Sequence, residues 1–71
     1  MNFGEALVEL RNGTHVTRAG WNGQGMYVAM QIPDRQSKMR KPYLYMCPVD
    51  GNFVPWVASQ SDLLADDWQV A

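Results

Sequence analysis

The sequence predicts an α+β fold: a small antiparallel sheet packed with an N-terminal helix and a short C-terminal helix. Three observations lead there. The chain opens on a capped amphipathic stripe. Its middle alternates β-favouring runs with Gly, Pro and polar breaks. It closes on a second capping motif followed by Trp68-Gln69-Val70.

Each element has a local cause. Asn2 can accept from the first-turn backbone while Glu5 returns a bond to the cap. Phe3, Ala6, Leu7 and Leu10 then share one helical face, and Gly13 suits a C-cap turn. A helix is expected over roughly 3–11, its stripe facing a sheet. Thr14 to Arg18 is a short β-favouring run, and Trp21-Asn22-Gly23 reads as a turn or irregular connection. Tyr27 to Ile32 is a better strand. Pro33 to Lys41 is a polar, basic loop, and Tyr43 to Cys47 resumes the strand pattern. Asp50-Gly51 is a turn signal, so the runs around it should form a hairpin. Ser59 is the preferred cap of a helix over roughly 60–66, paired with Asp62; Ser61 competes for that role. Leu63 and Leu64 should be buried there. Asp66-Asp67 should end the helix before a final short strand.

Seventy-one residues allow one domain, spanning 1–71. Hydrophobic residues are 46% of the chain and charged residues 18%, a globular balance with few charges. A chain this small buries a limited core, so oligomerisation is the simplest source of further burial. One Cys excludes an internal disulfide framework and fits a reducing compartment. Absence of a long apolar run or leader pattern predicts a soluble, cytoplasmic protein with no membrane partner. A net charge of −1 gives weak long-range attraction to long nucleic acid. The basic patch Arg35, Lys38, Arg40 and Lys41 reads first as a solvated loop.

No coherent catalytic set is visible. His15 is the sole histidine and has no evident orienting acid. Cys47 sits in an apolar strand and reads as a buried inert thiol. Asp62, Asp66 and Asp67 are near in sequence, but Asp62 has a capping role and adjacent aspartates need not converge on a metal. No cofactor or metal site is expected. The Met side chains read as core filler, and Trp68 and Phe3 as packing residues.

Ligand binding is the stronger reading. Arg18-Ala19-Gly20-Trp21-Asn22-Gly23-Gln24-Gly25 places a flat ring beside an amide and flexible glycines. A second ring, Trp56, runs into the Ser59 cap. Trp21 and Trp56 can stack on purine faces, and Asn22 can read a base edge or ribose hydroxyl. Ser59, Gln60 and Ser61 can donate to phosphate or ribose near a helix start. Arg18 can neutralise phosphate or hold structure. Tyr43 and Tyr45 share a strand face, so one can line a pocket while the other packs.

Three segments in one order carry a resemblance: Met1-Asn2-Phe3-Gly4-Glu5-Ala6-Leu7, Arg18-Ala19-Gly20-Trp21-Asn22-Gly23, and Trp56 through Trp68. Together they closely resemble the second Thoeris anti-defence protein family of phages and prophages. The resemblance implies a nucleotide sponge rather than an enzyme. Family members bind cyclic ADP-ribose isomers and prevent activation of the Thoeris effector; some relatives capture cyclic oligonucleotides. It further implies a homotetramer with pockets between subunits, acting in the cytoplasm of an infected or lysogenic bacterium. Carried over by position, Trp21 and Trp56 stack on adenine, Asn22 gives polar recognition, and Ser59-Gln60 contact phosphate or ribose. Asp62 orders the pocket or accepts a ribose hydroxyl. The competing classes are a protein-interaction module, a nucleic-acid-binding module, and an enzyme using His15 or an aspartate.

Overall fold

A computed structural model describes every residue of the chain except Gly23. The elements run α1 (Phe3–Arg11), β1 (Val16–Arg18), β2 (Tyr27–Gln31), β3 (Tyr43–Cys47), β4 (Val54–Pro55), α2 (Gln60–Leu64) and β5 (Trp68–Val70). The strands form one sheet in the order β4-β3-β2-β1-β5, and each paired neighbour is antiparallel. The α+β architecture expected from the sequence is therefore present.

The first helix begins and ends as its sequence dictates. Asn2 Oδ1 accepts the Glu5 N–H at 2.8 Å, and Glu5 Oε1 accepts the Asn2 N–H at 2.9 Å. At the other end Thr14 N donates to the Glu9 carbonyl and Gly13 N to the Leu10 carbonyl, each at 3.0 Å. This paired closure requires a left-handed residue between helix and strand, and Gly13 supplies it at φ 87°. The inward stripe buries Ala6 and Leu10 against Val16, Val28 and Trp68.

Strand alternation divides the sheet into two faces. Val16, Val28, Met30, Leu44, Met46 and Trp68 look toward the helices and form or flank the core. Thr17, Tyr27, Tyr43, Tyr45 and Gln69 take the opposite parity. In the central pair Val28 stands opposite Met46 and Ala29 opposite Tyr45. The expected Asp-Gly hairpin forms between β3 and β4: Gly51 N donates to the Pro48 carbonyl at 3.0 Å, with Gly51 at φ 81°. The expected turn at Trp21-Asn22-Gly23 includes Gly23 and so lies partly outside the described residues.

The second helix has the expected Ser59–Asp62 capping box but differs from expectation in its length and in what it buries. Ser59, not Ser61, is its cap: Ser59 Oγ accepts the Asp62 N–H at 3.1 Å, and Asp62 Oδ2 accepts the Ser59 N–H at 3.2 Å. The helix stops at Leu64 rather than 66, and Leu63 and Leu64 are not buried; they are 41% and 82% exposed. Helical residues advance about 100° each. Asp62 and Ala65 take the inward positions, which turns Leu64 to the opposite side. Cys47 is half-buried, with its Sγ 3.7 Å from the Pro48 carbonyl.

Candidate functional site

The site begins where β1 ends. Arg18 is the last residue of that strand, and its guanidinium bridges two carboxylates. Nε meets Asp67 Oδ1 at 2.8 Å, and one terminal nitrogen meets Asp62 Oδ1 at 2.9 Å. Asp67 precedes β5, the antiparallel neighbour of β1, so the ladder brings it to Arg18. The Arg18 register partner in that ladder is Trp68 itself. Asp67 also accepts the Gly20 N–H at 2.9 Å through Oδ2, and its carbonyl accepts the Ala19 N–H at 3.1 Å.

Charge and hydrogen bonding set the ionisation of this cluster. The hydrogen bonds from Arg18, then from the Gly20 backbone, hold the Asp67 carboxyl below the ordinary carboxylate range. Partial burial pushes Asp62 upward, but hydrogen bonds from Arg18 and Ser59, with help from Trp21, outweigh it and leave Asp62 lowered. The same bonds, those to Asp67 first, raise Arg18 further above its already high value. The guanidinium is thus committed to two anions. Its role in holding the structure is direct, and a bound phosphate would have to compete with both carboxylates.

An aromatic cluster sits beside these ion pairs. Trp68 is the largest fully buried side chain, and its indole N–H donates to the Asp62 carbonyl at 2.9 Å. Trp21, Trp56 and Phe3 approach its ring edge-on at centroid distances of 5.4, 6.0 and 5.4 Å. Trp21 and Trp56 are half-buried. Each therefore has a packing role, consistent with a small core that needs every large ring.

The two tryptophans differ in the cavities they line. Trp21 and Arg18 line a cavity of about 460 Å³ together with His15, Thr17, Tyr27 and Gln69. His15 stacks on Tyr27 with ring centroids 4.2 Å apart and planes within 5°. Tyr43 lines a different cavity of about 230 Å³, with Tyr45 and Phe53. A third, of about 170 Å³, shares Gln31 and Tyr43 with it and includes Lys38. Trp56, Ser59 and Gln60 line none of these three cavities. The Ser59 hydroxyl is occupied by its capping bond. Asn22 and Gln60 are exposed.

One chain therefore joins Trp21 to Arg18, and Arg18 to Asp62, but leaves Tyr43, Trp56, Ser59 and Gln60 apart from that cavity. Sequence reasoning passed over its other wall. Thr17, Tyr27 and Gln69 are same-face neighbours on three adjacent strands, a relation that strand parity carries once the pairing order is known. In the sequence Asp67 reads as a helix terminator and as one of three aspartates weighed against a metal, not as the partner of Arg18. Among the described residues no group of three His, Cys, Asp or Glu side chains can hold a metal ion. No described helix is long and apolar enough to cross a membrane.

Comparison with known proteins gives the whole chain one context. A family model described as the Thoeris anti-defense 2-like domain matches residues 1–71. The chain is also 32% identical to Thoeris anti-defense 2 of Bacillus phage SP01 over 83 aligned residues, covering 99% of this chain and 93% of that protein. With a match from first residue to last and a relative aligned over nearly its full length, the chain belongs to the Thoeris anti-defense 2-like family.

Proposed function

We propose that the chain blocks Thoeris signalling by sequestering a cyclic ADP-ribose-type nucleotide without cleaving it. The full-length family match is the observation that carries this reading. The 460 Å³ cavity supports it, because its size lies within the range of small-molecule sites and a half-buried tryptophan forms part of its wall. Trp21 stacks on the adenine, and Asn22 beside it reads polar edges. Thr17, Gln24 and Gln69 offer hydroxyl and amide groups to ribose and phosphate. Arg18 and Asp62 order this wall through their ion pair. The mechanism is stoichiometric: bound signal lowers the free concentration below what the effector requires, and no bond breaks.

Assembly as a homotetramer completes the pocket in this reading. Val57 and Leu64 are 90% and 82% exposed in the single chain, apolar surface that a second copy can cover. Trp56, Ser59, Gln60 and Tyr43 contribute where a ligand is lodged between subunits. The protein acts in the cytoplasm of the bacterial host. A second reading, capture of cyclic oligonucleotides, is favoured by the adjoining cavities that place Tyr43, Tyr45 and Phe53 near Lys38.

Calorimetric titration with a panel of cyclic ADP-ribose isomers, followed by mass analysis of the recovered ligand, tests the proposal. Saturable binding with unchanged mass supports sequestration and identifies the preferred isomer. A hydrolysis product formed over many turnovers would replace the sponge with an enzyme. Binding of cyclic dinucleotides alone would favour the second reading.

A further inference from the structure

Three backbone or side-chain donors in the short run Arg18 to Gly20 converge on one residue. Asp67 takes Arg18 Nε on Oδ1, the Gly20 N–H on Oδ2 and the Ala19 N–H on its carbonyl. The next residue, Trp21, closes the turn by donating its N–H to the Arg18 carbonyl at 3.2 Å. Its ring then meets Trp68, the residue that follows Asp67 in the chain. The segment carrying Trp21 is therefore held twice from one dipeptide: its backbone by Asp67 and its ring by Trp68.

The fit at Gly20 is close. A Cβ at that position would lie 3.0 Å from Asp67 Oδ2 and has no other close neighbour before Arg18 at 4.0 Å. Gly20 is not in the left-handed region, so backbone conformation does not demand glycine there. An added Cβ would instead press on the Asp67 carboxylate, which would have to give by a few tenths of an ångström. We infer that Asp67 is the positioning residue of the Trp21 site, setting where the ring stands on the cavity wall without itself being the stacking partner. This inference rests on the sequestration reading for its consequence in binding, but not for its geometry.

The geometry can be perturbed from either side. Asp67→Asn keeps one acceptor oxygen but turns an N–H2 group toward Arg18 or Gly20, so one of the two bonds is lost. Gly20→Ala leaves every charge in place and presses on the same carboxylate. Gly13→Ala serves as a control that strains the helix turn, with nothing within 4 Å of the added carbon.

Nitrogen-15 NMR of the wild type and the three variants, with thermal midpoints and titration by cyclic ADP-ribose, forms the test. Asp67→Asn and Gly20→Ala should each shift the Trp21 indole resonance and leave the Trp56 indole in place. Each should weaken cyclic ADP-ribose binding about tenfold, the lower part of the range for a lost base stack. The double variant should lose little more than the worse single one. Gly13→Ala should lower the midpoint with affinity within about twofold. Unmoved Trp21 resonances and wild-type affinity in both folded variants would overturn the inference. If Asp67→Asn does not fold, Gly20→Ala decides alone. Displaced Trp21 resonances with no binding by the wild type would keep the positioning role and remove the sequestration reading instead.

Discussion

The Asp62 carbonyl accepts the Trp68 indole N–H at 2.9 Å, so the largest buried ring of the protein is tied to the middle of its shortest helix. The same Asp62 meets Arg18 through its carboxylate. A single residue of α2 thereby connects a core ring to the strand that leads into Trp21. Stability and site geometry are coupled through it.

Trp68→Phe preserves an aromatic ring but removes the indole donor and leaves a small void. The loss of a buried hydrogen bond plus underfilled volume should cost about 2–4 kcal/mol. Urea unfolding of the two proteins measures this directly. A loss below about 1 kcal/mol would mean that the Asp62 carbonyl finds water instead.

Acid should destabilise the fold through Asp62 and Asp67. Both carboxyls titrate lower in the folded chain than an ordinary carboxylate at about 3.9. Between the folded and unfolded values the unfolded chain binds more protons, so stability rises with pH across that window. The contribution is complete above the unfolded value and disappears as pH falls through the folded one. Thermal midpoints should drop as pH is lowered from about 5 to 2.5. Asp62→Asn and Asp67→Asn should each flatten that curve; an unchanged slope in both would assign the acid sensitivity elsewhere.

Ser59→Ala should lower stability by about 1 kcal/mol, the usual cost of a lost N-cap. Ser61→Ala should change it by less than about 0.5 kcal/mol, because its exposed side chain lies beyond the cap. Equal losses at the two positions would contradict the capping geometry. The comparison is made by denaturant unfolding at matched protein concentration, so that the proposed assembly would contribute equally to both.

Trp21→Ala should weaken binding of the preferred cyclic ADP-ribose isomer by about 1–3 kcal/mol, or roughly 5- to 150-fold. Its contact with Trp68 adds a stability loss of its own. Calorimetry for affinity and light scattering for assembly separate the two effects. Collapse of the assembly with no folded protein left to titrate would place the ring mainly in the structure.

Much of this molecule is legible along the chain. Asn2 and Glu5 identify the start of α1, Gly13 its end, and Asp50-Gly51 the hairpin, because each rests on hydrogen bonds between residues three to five apart. The Ser59-Asp62 pair is equally local. The same locality explains the error at Leu63 and Leu64. Apolar character suggested burial, but only the placement of Asp62 against Arg18 decides which side of a five-residue helix faces in.

The candidate site was legible in its residue types and not in its grouping. Trp21 and Arg18 share a cavity, while Trp56 packs on Phe3 and Trp68 outside it. The cavity wall of His15, Thr17, Tyr27 and Gln69 carries no motif, because its members come from three strands and from the residue just before β1.

By itself the sequence determined the α+β class, the two capped helices, the hairpin and the family resemblance, all of which depend on short-range bonds or on residue order. Only the tertiary structure decided that Asp67 and Asp62, 49 and 44 residues from Arg18, close on one guanidinium. Those contacts depend on the β5-β1 pairing, which brings distant segments into register and has no signature in the spacing of the residues it joins.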